Sequence, residues 1–133
     1  MKYLIDSDVI IEILLGKDWA MAFHGQLGPD DAAISAMTYG EVWEGVIGSR
    51  NRSTAEAIFE RVIAPLDIIA LDKDILHRYA EIRVDLRRRG LQIGAPDILI
   101  AATAIELGLT LATHNVRHFA RILNLPILNP AEA

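Results

Sequence analysis

Short apolar runs alternate with stretches of helical periodicity from one end of this chain to the other, and this alternation constrains the fold most. Lys2 to Ile5 reads as a first buried strand. Asp8 to Leu15 reads as a helix that Gly16 can end, and a second helix is expected between Asp18 and Leu27. Gly28-Pro29-Asp30-Asp31 is a turn, followed by a short strand from Ala32 to Ile34. Ser35 is placed to cap the next helix. The apolar residues of that helix, Tyr39, Val42, Trp43, Val46 and Ile47, recur at the spacing of a stripe packed on a core.

A helix from Ser53 to Ala64, stopped by Pro65, leads to a strand from Ile68 to Leu71. The long helix from about Lys73 to Arg89 is expected to bury Ile75, Leu76, Tyr79, Ile82 and Leu86. Its arginine-rich last turn suits the negative end of the helix dipole, and Gly90 closes it. Pro96 fits the first turn of a helix from Pro96 to Leu107. Thr110 to Ala112 is a strand, Val116 to Leu123 a helix and Pro126 to Leu128 an edge strand. Such an order predicts an α/β fold with a parallel sheet. At 133 residues, one domain spanning 1–133 is expected.

Composition narrows the chemistry. Cysteine is absent, which removes disulfides, zinc–thiolate sites and thiol catalysis together, and fits a cytoplasmic location. Asp6 interrupts the first apolar run too early for a signal peptide. The longest apolar stretch, Ile98 to Ile105, is too short to cross a membrane. The net charge of −5 counts against nucleic-acid binding unless the acids have another task. Arg83, Arg87, Arg88 and Arg89 form one basic cluster, which either contacts phosphate or is a solvated helix end.

Two acids occupy positions where charge is unusual. Asp6 directly follows an apolar strand, and ligands of open parallel sheets bind beyond the strands' carboxyl ends. It either holds a cation there or, with Ser7, caps the following helix. Asp97 opens a helix with no charge from Ile98 to Ile105, so it is a charge at the mouth of a buried element. The helix dipole favours its ionised form. Glu41 lies opposite the apolar stripe of its helix and reads as a solvated residue, with Glu44 its rival for any catalytic role. Thr113 and Asn115 follow the fourth strand, where they bind a cation through oxygen, position a water, or cap the next helix. His114 and His118 fit no zinc-ligand spacing, and His77 reads as surface.

Taken in order, these pieces resemble the PIN-domain nucleases, in particular the VapC-type toxins. The carriers are Tyr3-Leu4-Ile5-Asp6-Ser7-Asp8, Ser35 through Glu41, Arg83 through Gly90 leading into Ile93-Gly94-Ala95-Pro96-Asp97 and the apolar helix to Ala104, and Thr113-His114-Asn115-Val116-Arg117-His118-Phe119. The resemblance implies a three-layer sandwich around a mostly parallel sheet of four to five strands. It implies a metal site formed by Asp6, Glu41 and Asp97, with Ser7, Thr113 and Glu44 around it. Asn115 stands near where the family often has a fourth acid, which puts a second metal in doubt. The implied activity is Mg²⁺- or Mn²⁺-dependent endonucleolytic cleavage of RNA, leaving a 5′-phosphate and a 3′-hydroxyl. The implied partners are an antitoxin protein and a second copy of the chain. Trp19, Phe23 and Trp43 are candidate contact residues, Trp43 reading better as core.

Magnesium suits such a site, because it takes oxygen ligands and needs only one or two carboxylates plus substrate phosphate. Crowded acids repel one another unless a cation lies between them. Two alternatives use the same residues. Asp6-Ser7-Asp8-Val9 also fits the opening of haloacid-dehalogenase-type phosphatases, with Asp6 as nucleophile and Asp8 as acid/base, but the later lysine and distal acidic pair are missing. The other alternative is a docking module with a degenerate acid cluster.

Overall fold

The computed structural model describes residues 1–132. Its elements run β1 (Tyr3–Ile5), α1 (Ser7–Leu14), α2 (Asp18–Gln26), β2 (Ala32–Ser35), α3 (Ala36–Ile47), α4 (Arg52–Ile63), β3 (Asp67–Ile69), α5 (Lys73–Arg88), α6 (Ala95–Leu107), β4 (Thr110–Ala112), α7 (Val116–Phe119) and β5 (Ile127–Leu128), with a 3-10 turn at Pro130–Glu132. The five strands pair in the order β3-β2-β1-β4-β5. Every pairing is parallel.

Alternate residues of each central strand feed two separate cores, as a two-residue side-chain period requires. Leu4, Ala33 and Leu111 pack with Ile75, Ile82 and Leu86 of α5 and the apolar face of α6. Ile5, Ile34 and Ala112 pack on the other side with Val9, Val42, Phe59 and their neighbours from α1 to α4. The result is the expected α/β sandwich, a sheet between two helical layers. Leu4, Ile5, Ile34 and Leu111 are fully buried, which a parallel sheet covered on both faces demands. No helix among the described residues is long and apolar enough to cross a membrane.

The caps follow the sequence closely. Ser35 Oγ accepts from Met37 N–H at 3.0 Å. Gly90 adopts φ 70° just beyond α5, a conformation that favours glycine. Three expectations need correction. β3 starts at Asp67 and ends at Ile69 instead of running from Ile68 to Leu71, because its pairing with β2 spans Ala33–Ser35 and ends before the apolar run does. α7 stops at Phe119 instead of Leu123. The Arg121 guanidinium is turned back onto the carbonyls of His118 and Gln92, which suits a compact turn. Leu76 is 43 % exposed, beside the buried stripe of α5 and outside it.

The aromatic contact candidates also differ. Phe23 is core, edge-on to Tyr3 at 5.7 Å between ring centroids. Trp43 is half-buried against Phe59, and Trp19 is half-buried with its ring stacked on His114. The apolar surface falls instead to Ile11, Leu15, Met21 and Ile47.

Candidate active site

Strand order reverses between β1 and β4: the chain builds outward from β1 through β2 to β3, then returns to place β4 on the other side. Such a switch point opens a crevice beyond the carboxyl ends of the two strands. Asp6 is the first residue after β1 and Thr113 the first after β4. Main-chain bonding ties the two ends together, Asp6 N–H donating to Ala112 O at 2.9 Å.

Asp6 is both a helix cap and a buried acid. It is 5 % exposed. Its Oδ1 accepts from Ser7 N–H at 2.8 Å, at the start of α1. Its Oδ2 accepts from the Thr113 hydroxyl at 2.8 Å. Thr113 is fully buried, and its oxygen accepts in turn from Asn115 N–H at 3.0 Å. The Thr113 hydroxyl has one proton. That proton serves Asp6, leaving the 3.5 Å approach to Asp8 Oδ2 the weaker one.

Sequence assigns Asp8 a chemical role only in the phosphatase alternative, yet it stands in this cluster. Its Oδ2 accepts from His114 N–H at 3.1 Å. Its Oδ1 is buried and has no hydrogen-bond partner among the described residues. The detectable signal was an acid on the first turn of a helix whose next two residues, Val9 and Ile10, are core.

Glu41 reaches the cluster through Ser7. The Ser7 hydroxyl donates to Glu41 Oε1 at 2.7 Å, joining the start of α1 to α3. Glu41 is therefore half-buried at the site and not a freely solvated residue. Glu44, one turn further along α3, is exposed and makes no hydrogen bond to the cluster among the described residues. Asn115 occupies the N-cap position of α7, but its side chain makes no capping bond. The helix-cap reading of Asn115 thus fails, and its side chain stays exposed beside Thr113.

Asp97 sits in the first turn of α6, and its negative charge is felt at Asp6. Its Oδ2 lies 2.8 Å from His118 Nε2. The other ring nitrogen, Nδ1, lies 2.6 Å from Arg121 Nη2. A guanidinium can only donate, so Nδ1 accepts and the ring proton sits on Nε2, aimed at Asp97. Sequence reasoning missed His118 because its link to Asp97 spans 21 residues and matches no local spacing.

Crowding shapes the protonation of this cluster. Burial, then the charge of Asp8, push the Asp6 carboxyl from 3.8 to about 7, with Asp97 adding to the rise and the Thr113 and Ser7 bonds opposing it. Burial likewise raises Asp8. No three acidic or histidine side chains among the described residues form a closed metal cage. Glu41 is turned to Ser7 and Asp97 to His118, each through one of its two oxygens. A hard divalent cation nonetheless fits the donor set. The groups are all oxygens, one buried carboxylate oxygen has no partner, and Asp6 and Asp8 repel each other without a cation.

Two consequences can be measured. Thr113→Val leaves the Asp6 oxygen and the Asn115 N–H without their partner and should cost about 1–3 kcal/mol in urea denaturation. The loss should be larger at pH 8 than at pH 5, because the bond favours ionised Asp6; an equal loss at both would detach the hydroxyl from that charge. His118→Ala should weaken Mn²⁺ binding about 10–100-fold by calorimetry where Asp97 contacts the ion, since the ring then acts as that carboxylate's supporting partner. His118→Gln, which keeps a donor, should recover part of it, and unchanged affinity in both would leave Asp97 independent of the ring.

The family model described as PIN domain matches residues 3–124. Ribonuclease VapC1 of Haemophilus influenzae is 31% identical over 127 residues, covering 94% of this chain and 95% of that protein. The tRNA(fMet)-specific endonuclease VapC of Salmonella typhimurium is 28% identical, covering 96% of each. Among solved structures, DNA-bound VapBC from Salmonella typhimurium superposes with a TM-score of 0.91 at 27% identity, covering 98% of both chains.

Proposed function

The chain belongs to the PIN-domain family, and from that membership we propose that it is a divalent-metal-dependent endoribonuclease, the toxin half of a toxin–antitoxin pair. The observation that carries the reading is the cluster of Asp6, Asp8 and Asp97 with Glu41 at the switch point of a parallel sheet. Asp6 and Asp97 are the metal ligands in this reading, and Glu41 binds the ion directly or through water. Magnesium or manganese supplies, when bound, the positive charge that offsets the scissile phosphate and makes a nearby water more acidic.

The protein's own groups do the positioning. Ser7 holds Glu41 Oε1 toward the Asp6 end of α1, so the other Glu41 oxygen is available to orient a water and take its proton. Thr113 keeps the Asp6 carboxylate in place, and its own orientation is set by Asn115 N–H. Attack of that water on phosphorus breaks the bond to the 3′ oxygen, which takes a proton from solvent and leaves as a hydroxyl, while the phosphate stays on the 5′ side. Such chemistry needs no cysteine, in keeping with the composition. It also relieves the difficulty of an acidic protein acting on RNA, since the cation carries positive charge to the acids.

For the antitoxin, α1, α3 and α4 leave an apolar trough of about 370 Å³, walled by Leu14, Leu15, Val46, Ala55 and Ile58, with the chemistry to seat apolar side chains of a partner. A homodimer is part of the same proposal and is read by sedimentation. Incubation with RNA should give Mg²⁺-dependent cleavage with 5′-phosphate ends that EDTA stops. Cleavage that persists in EDTA, or no cleavage with either metal, would sink the nuclease reading. Metal binding without cleavage would favour the docking module. The phosphatase alternative is not favoured, because the PIN match runs through almost the whole chain.

A further inference from the structure

A second site lies beside the acids. A cleft of about 550 Å³ opens between α5 and the loop entering α6, with Arg83, Arg87, Gln92 and Gly94 on its walls and Leu86 and Ile98 among its apolar lining. Its volume is that of a small-ligand pocket. We propose that this cleft is a phosphate subsite that holds the RNA backbone next to the scissile bond, with Arg83 and Arg87 as its anion-binding groups. The inference rests on the nuclease reading and adds to it where an acidic chain grips its substrate.

Charge pairing and placement together mark these two arginines. Arg52, Arg78 and Arg89 are each in ion pairs with Glu56, Glu81 and Glu106, or Asp85. Arg121 is held by His118 and Gln92 O. Arg83 and Arg87 have no carboxylate partner among the described residues; Arg50, Arg61, Arg88 and Arg117 share that state, but of these six arginines Arg83 and Arg87 are the two that line this cleft. They stand four residues apart, so they share one face of α5 about one turn apart. Arg83 is half-buried, lies 5.8 Å above the Tyr79 ring and is 3.4 Å from its hydroxyl, contacts that hold the guanidinium before any ligand arrives. Paired guanidinium forks match phosphate oxygens in geometry as well as charge.

Position links the cleft to the acids. Gln92 and Gly94 on its wall lead straight into α6, whose third residue is Asp97, about 5 Å further along the helix axis. Arg121 fastens the two together. Its Nη1 donates to Gln92 O at 3.2 Å while its Nη2 meets the ring that holds Asp97. Arg89 Nη2 closes the unit from α5 by donating to Arg121 O at 2.7 Å. A phosphate seated in the cleft is therefore at a fixed offset from the cluster. An apolar lining beside charged walls suits a sugar–phosphate chain, with the ribose against the half-buried Leu91 and the phosphate at the arginines.

The test is fluorescence anisotropy of a short single-stranded RNA on the full chain carrying Asp6→Asn to prevent cleavage, over a range of salt. Arg83→Gln/Arg87→Gln should weaken binding at least about tenfold and flatten the plot of log affinity against log salt by about 1.4, two lost phosphate contacts at about 0.7 each. Arg87→Gln alone, at an exposed residue that no fold contact needs, should give about half that change in slope. Arg88→Gln, which lines a separate cleft with Glu81 and Asp85, should change affinity by less than about twofold. Unchanged affinity and slope in the double variant would overturn the proposal, as would an equal loss from Arg88→Gln. So would displacement of an acidic peptide, with RNA binding unaffected, since that would give the cleft to a protein partner. If the unmutated chain cleaves RNA and the double variant binds it as before, this inference fails alone. If the unmutated chain does not cleave RNA, the nuclease reading fails.

Discussion

Asp6→Asn should lower RNA cleavage by roughly a thousandfold or more and, in the metal-free protein at pH 8, should raise the melting temperature. The first effect follows from the role proposed for Asp6: loss of a supporting partner of a ligand already costs about 10–100-fold, and loss of the ligand itself costs more. The second follows from where the carboxylate sits. It is 5 % exposed, beside Asp8, and burial is the largest cause of its rise from 3.8 to about 7. At pH 8 the folded protein must hold this group ionised against that cost.

Asparagine occupies the same volume and carries no charge; its one oxygen can keep the bond from Ser7 N–H, and its NH₂ then donates to the Thr113 oxygen, whose proton is free to turn to Asp8 Oδ2. The expected gain is on the order of 1–2 kcal/mol, or several degrees of melting temperature for a chain of this size. A site residue whose removal stabilises the fold has been kept for function at a cost in stability. Thermal melts in EDTA at pH 8, beside a cleavage assay, measure both effects. A variant that is less stable and fully active would show Asp6 to be an ordinary helix cap.

Protons and the divalent cation should compete for the same oxygens, which makes the response to metal strongly dependent on pH. The folded-state pKa of Asp6 lies above the unfolded value, so between pH 3.8 and about 7 the native state binds more protons than the unfolded one. Stability of the metal-free protein from this group therefore falls as pH rises through that window and is lowest above 7. Asp8 is raised as well and acts in the same direction. A bound cation reverses the balance at high pH, because it binds the ionised carboxylates and offsets their repulsion.

Saturating Mn²⁺ should thus raise the melting temperature most at pH 8, by an amount equivalent to about 2.7 kcal/mol at a hundred times the dissociation constant. The rise should fade below about pH 6. Affinity should drop about tenfold for each unit of pH below 7, one proton being released for each cation bound. Cleavage should increase with pH and level off above 7. A metal-induced shift of equal size at pH 5.5 and pH 8 would place the cation on groups other than these buried acids.

Much of this arrangement was legible before any coordinates. Leu4 and Ile5, Ala32 to Ile34 and Thr110 to Ala112 are strands because short apolar runs next to helical stripes leave few other choices. Asp6 and Asp97 were visible for the same reason: a charge at the border of a buried element needs a partner or a purpose. What escaped depended on contacts between distant parts of the chain. Glu41 looks solvated on its own helical wheel, and only Ser7, 34 positions away, turns it toward the site. Asp8 reads as a first-turn acid until His114 and Thr113 fold over it. His118 and Arg121 gain meaning only through Asp97 and Gln92. The edge strand β3 was misplaced because its ends are set by pairing with β2, which stops at Ile69 before the apolar run does.

Soaking crystals with Mn²⁺ and computing an anomalous-difference map tests the central idea most directly. A peak bonded to carboxylate oxygens of both Asp6 and Asp97, at roughly the 2.0–2.2 Å of a small hard cation, is the expected result. Manganese found only on other residues, or none bound at pH 8, would contradict it.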